Sequence, residues 1–126
     1  MPKPAKCISP KKAKKLQEKY IKTIEKALKK EFGKEQCRDF WWPLEEIEEY
    51  IAYVKSETKD KDYKNLGLRF FLGKYEDDEN DGSATMFIAP TGTKETAISA
   101  MKVGTETIEE VDPLNMNQGG WPPKDY

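Results

Sequence analysis

Leu66-Gly67-Leu68-Arg69-Phe70-Phe71-Leu72-Gly73-Lys74-Tyr75 carries a clear two-residue period. Leu68, Phe70 and Leu72 fall on one side, and Arg69, Phe71 and Tyr75 on the other. Successive strand side chains point to opposite faces, so this alternation predicts a β-strand. The acidic run from Glu76 to Ser83, with Asn80-Asp81-Gly82 inside it, has turn chemistry. Ala84 to Ala89, containing Met86, Phe87 and Ile88, reads as a second strand. Pro90 reads as its end, because proline gives a ladder no N–H. An antiparallel hairpin follows. A hairpin alone is marginal in water, so helices must cover it or a third strand must join. Ala97 to Val103 reads as that third strand, with a short helix as the alternative.

Upstream, the period changes. Ser9-Pro10 suits a helix start, with serine at the N-cap and proline in the first turn. Leu16, Tyr20, Ile24 and Leu28 recur every four residues, and Ala13, Ile21, Ala27 and Phe32 widen the stripe before Gly33 stops it. The opposite face is almost entirely lysine. A second helix begins at Pro43, with Leu44, Ile47, Ile51 and Val54 as its buried row and Tyr50 and Tyr53 beside it. Thr58 to Asn65 reads as a polar loop. The expectation is an α+β domain over 1–126, with two N-terminal helices packed on a small antiparallel β-sheet or hairpin. Residues 1–9 form an arm and 112–126 an irregular C-terminal tail rich in Pro, Gly and Asn.

The 126 residues fit one modest core. Charged residues make up 36% and mean hydropathy is -0.88, but 11% aromatics argue against a disordered chain. Net charge is -1, yet residues 1–34 hold twelve lysines against three acids, while the remainder holds ten basic against twenty acidic residues. This split fits a basic arm for an external polyanion, or a basic helix packed on the acidic remainder. No histidine is present, which removes the histidine base, ligand and pH switch. Met1 to Ser9 has lysines but no apolar run, so no secretory signal is expected, and no window predicts a membrane span. A cytoplasmic protein with Cys7 and Cys37 reduced is the expectation.

Several stretches are distinctive: Asp39-Phe40-Trp41-Trp42-Pro43-Leu44-Glu45-Glu46-Ile47-Glu48-Glu49-Tyr50-Ile51, Leu68-Arg69-Phe70-Phe71-Leu72-Gly73-Lys74-Tyr75, Thr85-Met86-Phe87-Ile88-Ala89-Pro90-Thr91, Asp112-Pro113-Leu114-Asn115 and Gly119-Gly120-Trp121-Pro122-Pro123. In these the chain resembles a group of small cytosolic proteins of Bacteroidetes-type bacteria whose function is unknown. The resemblance spans residues 8–125 and implies a small soluble bacterial or phage-related protein. It carries no activity and no functional residues.

The candidate binding residues are Trp41, Trp42, Tyr50, Tyr53, Arg69 and Trp121. Adjacent tryptophans cannot both face inward on a regular strand, so one is left to anchor a partner or stack a base. The alternative is a hydrophobic staple at the helix entry. The lysine face could attract phosphate, but no base-reading motif accompanies it, so nucleic acid is not the expected partner. Asp77, Glu79, Asp81 and Gly82 partly match a calcium loop, but position twelve would be Ile88 rather than glutamate, so no metal is expected. Asn115 to Pro123 could recognise a ligand or lie along the domain with Trp121 as anchor. No nucleophile motif, Walker loop or dinucleotide fingerprint occurs. The expectation is a non-enzymatic binding protein without cofactors, a protein-recognition module of immunity, antitoxin or inhibitor type. The alternative is a nucleotide-binding protein that sequesters a small anionic, phosphate-bearing ligand through Arg69 and Trp41 or Trp42. A homo-oligomer would suit that role.

Overall fold

The computed structural model describes residues 1–94 and 105–119. They confirm an α+β protein and fall into two compact units, Met1–Asp39 and Phe40–Gly119.

The first unit is a helical rod: α1 (Pro10–Tyr20), a π-helical turn (Ile21–Glu25) and α2 (Lys26–Phe32). Ser9 caps it as expected, its Oγ accepting from Lys12 N–H at 3.0 Å. Gly33 ends it at φ 70°, a left-handed conformation that glycine adopts without a Cβ penalty. The expected buried row is not realised. Leu16, Ile24 and Phe32 are about half exposed, Tyr20 and Leu28 are half-buried, and the buried side chain is Glu25. The π turn explains the change: it adds a residue to one turn and rotates the following side chains around the axis. Glu25 thereby turns inward, where its carboxylate accepts from Arg38 Nε at 2.8 Å.

The second unit is built on the hairpin. β2 (Tyr63–Lys74) and β3 (Ala84–Lys94) pair antiparallel, with Phe70 opposite Ile88 and Leu72 opposite Met86. β4 (Glu106–Thr107) adds a short third strand beyond β3, giving the order β2-β3-β4. The strand expected at Ala97–Val103 lies outside the described residues. β1 (Phe40–Trp41) and β5 (Gln118–Gly119) form a separate two-stranded ladder.

Pro90 does not end β3. The strand runs four residues further, because Pro90 sits where its missing N–H would face away from β2. On that far side only its carbonyl is used, accepting from Ile108 N–H at 2.9 Å. Gly92, two residues on, is buried. A Cβ there would lie 3.1 Å from the Tyr63 ring and 3.2 Å from Ile108.

α3 (Leu44–Thr58) covers one sheet face. The expected row of Leu44, Ile47, Ile51 and Val54 is rotated by about one residue. Tyr50, Val54 and Thr58 are buried and Ile47 half-buried, whereas Leu44 is 76% and Ile51 36% exposed. Tyr50 brings a ring into the core and donates its hydroxyl to Asp112 O at 2.9 Å and Ile88 O at 3.2 Å. The Thr58 hydroxyl donates to Val54 O, so its burial leaves no unpaired donor. Ile88, Ile108 and Val111 complete the core with Tyr50 and Val54; Trp42, Leu68 and Leu114 pack at its margin. Burying each aliphatic side chain contributes about 1.5–3 kcal/mol. Of the two helices expected on the sheet, α3 takes that place; the helix at 10–32 belongs to the other unit.

Residues 112–117, expected to be irregular, follow the far edge of β3. Leu114 exchanges two backbone hydrogen bonds with Ile88, each 2.8 Å. Next to it, the side-chain amides of Asn115 and Asn117 donate to Met86 O at 2.8 and 2.6 Å. Asn115 Oδ1 accepts from the Tyr75 hydroxyl at 2.9 Å.

Candidate functional site

β3 is therefore paired along both sides. β2 is not: among the described residues no strand lies on its outer edge. Ile88 turns its N–H and C=O away from β2, toward Leu114. In an antiparallel ladder the residue opposite such a group also points outward, so Phe70 presents its N–H and C=O to the open edge. Leu68 and Leu72, two residues to either side, share that orientation. The side chains agree. Leu68 packs on the core, but Phe70 is 53% and Leu72 78% exposed, both on the face that carries α3. Open backbone groups beside exposed apolar side chains form a template for one more strand.

The opposite face of the hairpin is differently furnished. Phe71 and Phe87 stack across the ladder with centroids 5.1 Å apart. Arg69 reaches over β3 toward β4. Its Nη2 donates to Thr105 O at 3.0 Å and Thr105 Oγ1 at 3.2 Å, while Nη1 lies 3.5 Å from Thr107 Oγ1.

The residues expected to form a binding site are dispersed. Trp42 is half-buried, and its Nε1 donates to Asn115 O at 2.9 Å. Tyr50 is in the core, where burial, followed by the nearby Tyr53 and Asp112, pushes its phenol above its ordinary range. Tyr53 is 38% exposed, its ring 6.0 Å from that of Tyr50. Trp41 is 53% exposed on β1. Trp121 lies outside the described residues. Arg69 sits on the sheet face opposite Trp42 and Tyr50, so these groups do not converge on one ligand.

Alternation placed Phe70 and Leu72 on one face of the strand with Leu68, and singled out neither as a docking residue. Nothing in the strand's own residues marked it as lacking a second neighbouring strand among the described residues. In the acidic turn, Asp77 pairs with Lys74 at 3.3 Å, and Asn80 and Asp81 take positive φ values of 47° and 56°. Cys7 and Cys37 are both free; burial, then Asp39, raises the Cys37 thiol. Among the described residues no helix is long and apolar enough to cross a membrane. Compared with family models, curated proteins and solved structures, the chain finds no significant match in any of the three.

Proposed function

We propose that this protein acts by recognising another polypeptide, as small immunity, antitoxin and inhibitor proteins do, and that the outer edge of β2 is where it docks. One observation carries the reading: Phe70 and Leu72 are exposed beside an edge whose N–H and C=O groups have no strand partner among the described residues. An incoming extended segment would gain main-chain hydrogen bonds from that edge. Its alternate side chains would cover Phe70 and Leu72. The separation of basic and acidic residues along the chain supports the same role, since charge asymmetry steers association with a complementary partner.

The test is selection from a random-peptide display library on protein immobilised at low density, repeated with Leu72→Lys. Enrichment of peptides with alternating apolar residues, lost on the variant, is expected. Peptide sets that the substitution leaves unchanged would remove β2 as the docking edge.

A further inference from the structure

The open edge has an internal symmetry. Outward from Phe70, β2 carries Arg69 and Phe71, then Leu68 and Leu72, then Gly67 and Gly73. Leucine and glycine recur at equal distances on either side of one residue. A two-fold interface uses the same patch from both subunits, so each patch must complement itself. From this we infer that the β2 edge pairs with the β2 edge of a second copy of this chain, antiparallel, about an axis through Phe70. The inference rests on the reading of this edge as a docking surface and names its occupant.

In this register Phe70 faces Phe70, Leu68 faces Leu72, Gly67 faces Gly73 and Arg69 faces Phe71. The outward N–H and C=O groups of Leu68, Phe70 and Leu72 are then all used, in roughly six interchain hydrogen bonds. The exposed rings and leucines of both copies meet on the face that carries α3.

Neighbouring registers are worse. Sliding by two residues one way moves the axis to Arg69 and loses both the Phe70–Phe70 pair and the Leu68–Leu72 pairs. Sliding the other way sets Leu68 against Lys74 and loses the leucine pairs. Arg69 does not obstruct the edge, because Thr105 and Thr107 draw its guanidinium inward across the chain's own sheet. Antiparallel pairing also sends the acidic turn after each β2, Glu76 to Asp81, toward the Tyr63-Lys64 start of the other β2.

Sedimentation equilibrium on the full chain, wild type and Phe70→Lys, tests the inference. The wild type is expected to dimerise. Phe70→Lys, which sets lysine against lysine on the axis, should raise the dissociation constant at least about tenfold with an unchanged circular dichroism spectrum. A short bismaleimide, used on chains carrying Cys7→Ser and Cys37→Ser, checks the register. Phe70→Cys should crosslink to itself. Leu72→Cys should not, since its equivalent lies about 13 Å away at the strand rise per residue. A wild type that stays monomeric overturns the self-pairing; if the display selection still enriches edge-dependent peptides, the docking reading survives it. Dimerisation insensitive to Phe70→Lys, or crosslinking stronger at position 72 than at 70, also overturns the inference.

Discussion

Phe70 and Ile88 stand directly opposite each other across the β2–β3 ladder, yet Ile88 is fully buried and Phe70 is 53% exposed. One pair thus spans the boundary between core and surface. Tyr50 and Val54 of α3, with Val111, lie in the same buried cluster as Ile88. The helix lies over the centre of the sheet and leaves Phe70 and Leu72 of the outer strand exposed, while Leu68 packs on the core.

That boundary predicts unequal costs. Ile88→Ala should lower stability by about 2–5 kcal/mol, because it removes buried methyl groups and leaves a cavity. Phe70→Ala should change monomer stability by less than about 1 kcal/mol, as surface substitutions do. Urea unfolding of the full chain at low concentration measures both. Equal losses would mean that the ring of Phe70 contributes to the monomer's core.

The buried Glu25 makes a second prediction. Its side chain is 6% and that of Arg38 16% exposed, so removing the carboxylate deprives a largely buried cation of one of its partners. Glu25→Ala should destabilise the Met1–Asp39 unit by about 3–5 kcal/mol, and Glu25→Gln, which retains an acceptor, by less. Helical circular dichroism followed through thermal unfolding reads the difference. Identical behaviour of the two variants would show that the pair contributes little.

A third prediction concerns acid. The Tyr63 hydroxyl donates to Glu110 Oε1 at 2.8 Å, and Lys61 lies 3.5 Å from Oε2. The hydrogen bond from Tyr63 holds the Glu110 carboxyl below its ordinary range, against desolvation and with help from Lys61 and the charge of Lys94. The folded chain therefore binds this proton less readily than the unfolded chain. The associated stabilisation is present above the ordinary carboxylate range and is lost as pH falls through the lower folded pKa. Carboxyl-carbon NMR should place the Glu110 midpoint below that of an exposed glutamate, and Tyr63→Phe should raise it. A midpoint indifferent to that substitution would contradict the assignment.

The hairpin and both helices were legible because their periods are local properties of the chain. Leu68 and Phe71 do lie on opposite faces, as alternation requires. The buried face of α3 was misread at Tyr50, because apolar spacing favoured Ile51 and could not foresee two backbone carbonyls awaiting a phenol. Pro90 was read as a stop because proline's tolerance depends on which strand lies on which side, a tertiary fact. The open edge was hidden for the same reason: alternation tells which side chains share a face, not which strand has a neighbour. Which of Trp41 and Trp42 is the exposed one was not decided by their adjacency, because the hydrogen-bond partner of Trp42, Asn115, lies 73 positions away in sequence.

The far flank of the hairpin has a further consequence. Backbone groups of Leu114 and Ile108 and the amides of Asn115 and Asn117 occupy β3 where a new strand would otherwise add, and β4 beyond it is two residues long and begins with Glu106. Ribbons that accept strands on both flanks polymerise. A sheet blunted on one flank terminates after a single addition, so growth at β2 ends in a closed pair rather than a fibre.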